Sequence, residues 1–356
     1  MQAVVFGASG YSGAELLRLL HGHGEIEVVG VSGESTAGRR VGDLYPGLPR
    51  AVRELRIRTT EELLGLIVGA ELSSVELAFF ALPHGVAERL APDLLRHVST
   101  VVDLSADFRL ADPSSYPSHY GREHGEPELL EKAVYGLPEF KRSALPGARL
   151  IAAAGCYVTA ATIGLLPLVE RSLVEPDHII IDAASGISGA GRSLKEENLF
   201  VGREANYSVY GLRHHRHVVE MEQNLGVRVI FSPHLLPVSR GILATIYARP
   251  SNELRAQLEA CGGEESADAL LRELYATRYQ NEEFVEVTTV PPDLSSVVYS
   301  NLCRVSVVYD VRTNWIIVVS ALDNLTKGAA GQAIQCANIA LGYLESEGLP
   351  KGGRVP

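Results

Sequence analysis

Short apolar runs alternate with helical patterns through the first hundred residues, and no other feature restricts the possible folds so much. Residues 3–6 (Ala-Val-Val-Phe) read as a strand, and Leu16, Leu17 and Leu20 share one face of a helix over 14–20. Residues 28–31 form a second strand. The run Leu-Ala-Phe-Phe-Ala-Leu at 77–82 is continuously apolar, as in a strand covered on both faces. A helical pattern follows over 86–95, then a strand over 100–104. Strand–helix alternation with right-handed crossovers builds a parallel, doubly wound sheet.

After an irregular stretch at 107–146, rich in Pro, Tyr, Glu and His, the pattern changes. Strand-like runs at 178–182, 227–231, 242–248, 303–309 and 315–320 predict a mixed or antiparallel sheet, with helices over 252–259 and 265–275. The fold class expected is therefore α/β: a Rossmann-like doubly wound parallel sheet plus a second α+β domain. A length of 356 residues suits two domains. The final helical pattern, 325–344, is expected to return to the first. The expected boundaries are 1–152 with 323–356 for dinucleotide binding, and 153–322 for catalysis and oligomerisation. The uncharged stretch 150–169 is long enough to span a bilayer, but its Gly, Thr, Ala and Pro content reads as a buried strand–turn–helix.

The loop after the first strand is Gly7-Ala8-Ser9-Gly10-Tyr11-Ser12-Gly13. Glycines at this place let the backbone turn tightly and approach a pyrophosphate at a helix N-terminus, with Ser9 and Ser12 as further donors. Beyond the second strand, Ser32-Gly33-Glu34-Ser35-Thr36-Ala37-Gly38-Arg39-Arg40 offers hydroxyls and two arginines that suit a 2′-phosphate, while Glu34 favours a bare ribose. NADP is the expected cofactor. Pro83, in the loop after 77–82, and Ser188 and Gly189, in the second Gly/Ser loop at 185–192, are counted with its ligands.

Cys156 precedes a helical pattern, where helix dipole and free N–H groups stabilise a thiolate. In the cluster His214-His215-Arg216-His217 the spacing matches no zinc pattern, so no metal is expected; an acid/base histidine serving a cysteine nucleophile fits better. Cys261, Cys303 and Cys336 have no such setting. Arg109, just past the strand at 100–104, is the first candidate to grip a phosphate or carboxylate, with Lys195 and Arg240 behind it.

The formal net charge of −11 argues against nucleic acid and anionic membranes as partners. Only five lysines are present, so positive charge at an anion site has to come mainly from arginines. Four scattered cysteines and a start without a basic leader read as cytoplasmic. The adjacent apolar strands of the second domain leave a sheet face in need of cover, so a homodimer or homotetramer is expected.

Taken in order, GASGYSGAELLRLL, ALPHG, VVDLSADFRL, GCYVTAATIGLLP, SGISGAGR, HRH with Glu220, SRGILAT and DNLTKGAAGQAIQ resemble the N-acetyl-gamma-glutamyl-phosphate reductase family of the aspartate-semialdehyde dehydrogenase superfamily, over nearly the whole chain. The resemblance implies Cys156 as nucleophile, His217 as acid/base, and Asn324 with the Gly328 region near the cofactor. It implies NADPH-dependent reduction of a small acyl phosphate to a semialdehyde in arginine biosynthesis, through a cysteine thioester. Ala154 and Val158 stand where the family usually has proline, and Val218-Val219 replace its Thr-Pro. These departures leave room for an aminoadipyl or aspartyl phosphate. A non-catalytic NADP-binding sensor and a Cys/His hydrolase are the rival classes.

Overall fold

A computed structural model describes residues 1–194 and 196–353. The chain divides into two compact units, Met1–Gly155 with Ala329–Leu349, and Cys156–Gly328 with 350–353.

The first unit is built on seven strands: β1 (Gln2–Phe6), β2 (Glu27–Ser32), β3 (Ile57–Arg58), β4 (Val75–Phe80), β5 (Thr100–Asp103), β6 (Val134–Gly136) and β7 (Leu150–Ala153). They lie in the order β3-β2-β1-β4-β5-β7-β6, every pair parallel. β1, β4, β5 and β7 are buried almost throughout, which is why their sequences show no alternation. The helix Gly331–Leu341 belongs here and packs on the helix Tyr11–Leu20 and on β5, β6 and β7. Polar pairs fix it in place. Asn338 Oδ1 meets His23 Nε2 at 2.9 Å, and Gln335 Nε2 donates to Glu139 at 3.1 Å.

The second unit carries β8 (Val174–Gly186), β9 (Ser208–Val209), β10 (Ile230–Leu236), β11 (Ile242–Pro250), β12 (Val285–Val287), β13 (Cys303–Asp310) and β14 (Trp315–Leu322). The order is β12-β13-β14-β11-β8-β10-β9, mixed in direction, with β12–β13 and β8–β10 the parallel pairs. One face is covered by the helix Cys156–Val169, which comes close because Gly164 has no side chain: a Cβ there would lie 2.6 Å from Ile246 Cδ1. The helices Asn252–Ala260 and Glu264–Tyr279 complete that layer, and Tyr275 donates to the Gly164 carbonyl at 2.7 Å. On the other face Leu243, Thr245, Tyr247, Trp315, Ile317 and Val319 are only half-buried.

The expected fold class is the observed one. Three local expectations are corrected. The strand expected at 227–231 runs over Ile230–Leu236; Pro233 and His234 interrupt its apolar pattern. The stretch 107–146 contains strand β6 and several short helices. The terminal helix starts only at Gly331, after a π turn over Thr326–Ala330. The uncharged 150–169 stretch is the strand β7 and then a helix, and no helix among the described residues is long and apolar enough to cross a membrane.

Candidate active site

In the first unit the glycine loop joins β1 to the helix Tyr11–Leu20. Gly7 has φ +82°, and a Cβ on it would sit 2.1 Å from the Ala81 carbonyl oxygen. A Cβ on Gly13 would sit 2.3 Å from the Gly7 carbonyl oxygen. Both must therefore be glycine for β1, β4 and the helix to meet so closely. Gly10 is the helix N-cap and makes no side-chain cap, so the first-turn N–H groups are left to a ligand. A Cβ there would meet only the Gly7 carbonyl oxygen, at 3.5 Å. Tyr45 holds the loop by donating to the Ser9 carbonyl at 2.7 Å. This cradle fits a dinucleotide pyrophosphate.

Beyond β2, Ser35 and Arg39 are exposed. Glu34 is engaged elsewhere: its carboxylate accepts the Thr60 N–H at 2.8 Å, and hydrogen bonding by Thr60 lowers its pKa. Arg40 pairs with Glu54. Pro83 is exposed in the loop after β4.

At the end of β5 lies a buried polar network. Asp103 accepts from Ser105 N–H at 2.8 Å and Ser105 Oγ at 2.7 Å. Asp107 accepts from Gly85 N–H at 2.8 Å and from Arg122 at 2.9 Å, and Arg122 also binds Glu88. Arg109 is largely buried, and its Nη2 donates to the Leu104 carbonyl at 2.8 Å. Burial, with the Asp107 charge adding, pushes the Asp103 carboxyl up to about 7. Between about pH 4 and 7 the unfolded chain has given up this proton while the folded chain keeps it. Stability contributed by Asp103 therefore falls as pH rises through that window and stays low above it. Asp103→Asn cannot ionise, so relative to wild type it should gain on the order of 1–3 kcal/mol between pH 5 and pH 8. Urea unfolding at the two pH values measures this; an unchanged difference would contradict it.

In the second unit, Cys156 is the first residue of the helix Cys156–Val169, and His217 the first of the helix His217–Leu225. The two helices pack against each other. Tyr157 links their starts: it follows Cys156, and its ring meets the His217 ring edge-on at 6.0 Å. Tyr157 is buried and donates to the His234 carbonyl at 2.9 Å, with the Tyr210 hydroxyl 3.3 Å from its own. Burial pushes the Tyr157 phenol far above its usual value and that of Tyr210 up to about 12, so both stay neutral donors. His214 is exposed; His215 lies under the Tyr157, Tyr210 and Phe231 rings.

The turn at 323–328 is knotted by Asp323, which is fully buried. Its Oδ1 accepts from Leu325 and Thr326 N–H at 2.8 and 3.0 Å, and Oδ2 accepts from Tyr299 N–H at 2.6 Å. Arg240, largely buried, pairs with it at 2.9 Å, donates to Thr326 Oγ1 at 3.0 Å, and stacks 4.3 Å from the Tyr299 ring. These bonds hold Tyr299 at φ +64°, a left-handed conformation costly for a bulky residue. They also tie 323–328 to the second unit. Asn324 accepts from Gly241 N–H at 2.7 Å and donates to Ser188 Oγ at 3.0 Å. Gly328 ends the turn against Cys156: a Cβ on it would lie 2.7 Å from Cys156 Cβ.

Thus the structure presses Gly328 against Cys156, sets Cys156 and His217 at the starts of two helices that pack together, and bonds Asn324 to Ser188. A Cβ on Gly189 would meet Ser185 Oγ at 2.8 Å. Arg240 is committed to Asp323, Arg109 sits beside Asp103, and Lys195 lies outside the described residues. Sequence reasoning missed the Asp323 knot and the helix His217–Leu225. Val-Val-Glu-Met-Glu at 218–222 was the available signal for that helix.

Residues 2–148 match the family model for the semialdehyde dehydrogenase NAD binding domain, and residues 156–324 that for the semialdehyde dehydrogenase dimerisation domain. The chain belongs to the semialdehyde dehydrogenase family of oxidoreductases. It is 42% identical over 367 residues to an N-acetyl-gamma-glutamyl-phosphate reductase of Cellvibrio japonicus, covering 100% of both chains. It is equally 42% identical to the reductase of that name from Geotalea daltonii, again over 100% of each. Among solved structures it resembles aspartate semialdehyde dehydrogenase II of Vibrio cholerae, with TM-score 0.67 and 16% identity over 95% of this chain and 97% of that one. It also resembles aspartate semialdehyde dehydrogenase with NADP from Candida albicans, with TM-score 0.65 and 17% identity over the same shares. At those identities the likeness is one of fold.

Proposed function

We propose that the protein reduces N-acetyl-gamma-glutamyl phosphate to the corresponding 5-semialdehyde with NADPH, releasing phosphate, as a step of arginine biosynthesis. The observation that carries the chemistry is the placement of Cys156 and His217 at the first positions of two helices that pack together. The full-length relatives named for this reaction supply the substrate.

Cys156 gives its proton to His217, and its sulfur attacks the acyl carbon. The carbon–oxygen bond to phosphate breaks, leaving a thioester on Cys156. The thioester carbon would take its hydride from NADPH when that cofactor is bound. His217 returns its proton to the oxyanion so formed. The carbon–sulfur bond then breaks, the hydroxyl proton passes back to His217, and the aldehyde leaves a thiolate on Cys156. Helix N–H groups not used within the first turn stabilise negative charge at this place. Arg109, which itself donates to the Leu104 carbonyl, is the first candidate for the substrate's anionic group, ahead of Arg240, whose charge is matched by Asp323.

Following NADP reduction by N-acetylglutamate 5-semialdehyde with and without phosphate tests the reading. Strict phosphate dependence supports it. Oxidation without phosphate indicates an ordinary aldehyde dehydrogenase, and no signal indicates a sensor or a hydrolase.

Exposed Ser35 and Arg39, with Glu34 turned onto Thr60, support NADP over NAD. Arg39→Ala removes a charge-assisted contact worth about 1.5–3 kcal/mol. It should raise the KM for NADPH about 10-fold or more and leave that for NADH unchanged; equal changes would defeat the assignment. The half-buried apolar face of the second sheet and the match to a dimerisation domain support a homodimer or homotetramer. Sedimentation should show no monomer at micromolar concentration. None of the four cysteines is in a disulfide, which supports a reducing compartment such as the cytoplasm.

A further inference from the structure

The helix His217–Leu225 begins with a problem that every helix has: its first amides find no carbonyl within the helix. The N-cap residue, Arg216, makes no side-chain cap. The N–H of His217 is instead satisfied from one residue further back, donating to His215 Nδ1 at 3.2 Å. A ring nitrogen that accepts carries no proton, so the proton of a neutral His215 lies on Nε2. The surroundings keep that ring neutral. Burial, with Arg216 next, lowers its pKa to about 4. Four rings stand edge-on around it: Tyr157 at 5.7 Å, Tyr210 at 5.5 Å, Phe231 at 5.3 Å and His217 at 4.8 Å. The Tyr157 ring is itself fixed by its bond to the His234 carbonyl. One imidazole therefore grips the backbone of His217 and packs against the residue next to Cys156.

The geometry points to His215 as the positioning residue for the acid/base, acting through the hydrogen bond from the His217 amide and not on the substrate itself. This rests on the reading of His217 as acid/base and Cys156 as nucleophile. His215 fixes where the helix starts, and with it where the His217 side chain begins.

Two substitutions separate its acceptor from its shape. His215→Phe keeps a ring in the aromatic box and removes the acceptor. His215→Asn loses the ring but offers Oδ1 at a similar reach. Reacting groups displaced by about 1 Å lose about 100-fold in rate. H215F should therefore lower kcat by about 10- to 100-fold, with KM for NADP and semialdehyde within about 3-fold. H215N should recover kcat to within about 5-fold of wild type, even with a lower melting temperature. A wild-type kcat in H215F would overturn the proposal. So would parallel losses in both variants that follow their melting temperatures. Nitrogen-15 NMR of histidine-labelled wild-type protein near pH 7 provides a readout that needs no turnover. An unprotonated Nδ1 and protonated Nε2 on His215 support the hydrogen bond; a protonated Nδ1 overturns it. If the wild type shows no phosphate-dependent activity, the catalytic reading has failed, and this spectrum still decides the hydrogen bond.

Discussion

Cys156→Ala should abolish phosphate-dependent NADP reduction, with a loss of about 1,000-fold or more, while melting temperature and dinucleotide binding stay near wild type. The size follows from chemistry. Without the sulfur the semialdehyde forms no thiohemiacetal to give up its hydride to NADP, and no thioester arises for phosphate to cleave. The selectivity follows from placement. Cys156 opens a helix in the second unit, whereas the dinucleotide cradle is made by Gly7, Gly10 and Gly13 of the first. Its side chain is partly exposed, so truncation removes little buried area. Fluorescence titration with NADPH and a phosphate-dependence assay check the two halves together. Normal turnover in the variant would remove Cys156 from the mechanism.

Gly328→Ala is the second large expected effect, and it concerns a residue with no chemistry of its own. Its Cβ would lie 2.7 Å from Cys156 Cβ and 3.3 Å from both Cys156 Cα and the Asp323 carbonyl oxygen. None of these is the end of a flexible chain. The Gly328 N–H already donates to that same carbonyl at 2.8 Å, and the turn behind it is fixed by the buried Asp323–Arg240 pair. The turn has little freedom to retreat, so Cys156 must move. A displacement near 1 Å costs about 100-fold in kcat. Gly65→Ala serves as the control: nothing lies within 4 Å of its Cβ, and alanine in a helix interior is favoured over glycine by up to about 1 kcal/mol. Wild-type kcat in G328A would show that the turn yields and that Cys156 is not held by it. A slower rate of alkylation of Cys156 in G328A, read by mass spectrometry, would report the same displacement without turnover.

The parallel sheet was legible because its strands are buried on both sides and separated by helices of regular period. Residues 77–82 and 100–104 carry that signal with no help from distant contacts. The second sheet was legible only where strands are long and apolar, as in β11, β13 and β14. β10 was displaced in the reading because Pro233 and His234 sit inside it, and two-residue β9 has no pattern to read. At the site, Cys156 and the glycine loop announce themselves through local context: a helix start and a strand-to-helix turn. What sequence reasoning could not find depends on partners far along the chain. Asp323 matters because Arg240 and Tyr299 reach it, and Gly328 because Cys156 is pressed against it. Arg240 looked like an anion-binding residue for the same reason, since nothing near it in sequence shows that its charge is already matched.

The route of the chain through the first unit has a consequence for how the molecule is made. The helix Gly331–Leu341 packs on the helix Tyr11–Leu20 and on β5, β6 and β7, yet the whole of 156–328 is translated before it. At roughly 5–20 residues per second, a ribosome needs about 10–30 s to cross that interval. Throughout it the nascent dinucleotide unit lacks the helix that covers those strands, and their apolar surface is open to the cell. The second unit, by contrast, already has its seven strands when Gly328 emerges. The unit that starts first therefore waits for its covering helix until the sheet of the second is already made, and a chain cut short before residue 329 leaves its leading half uncovered.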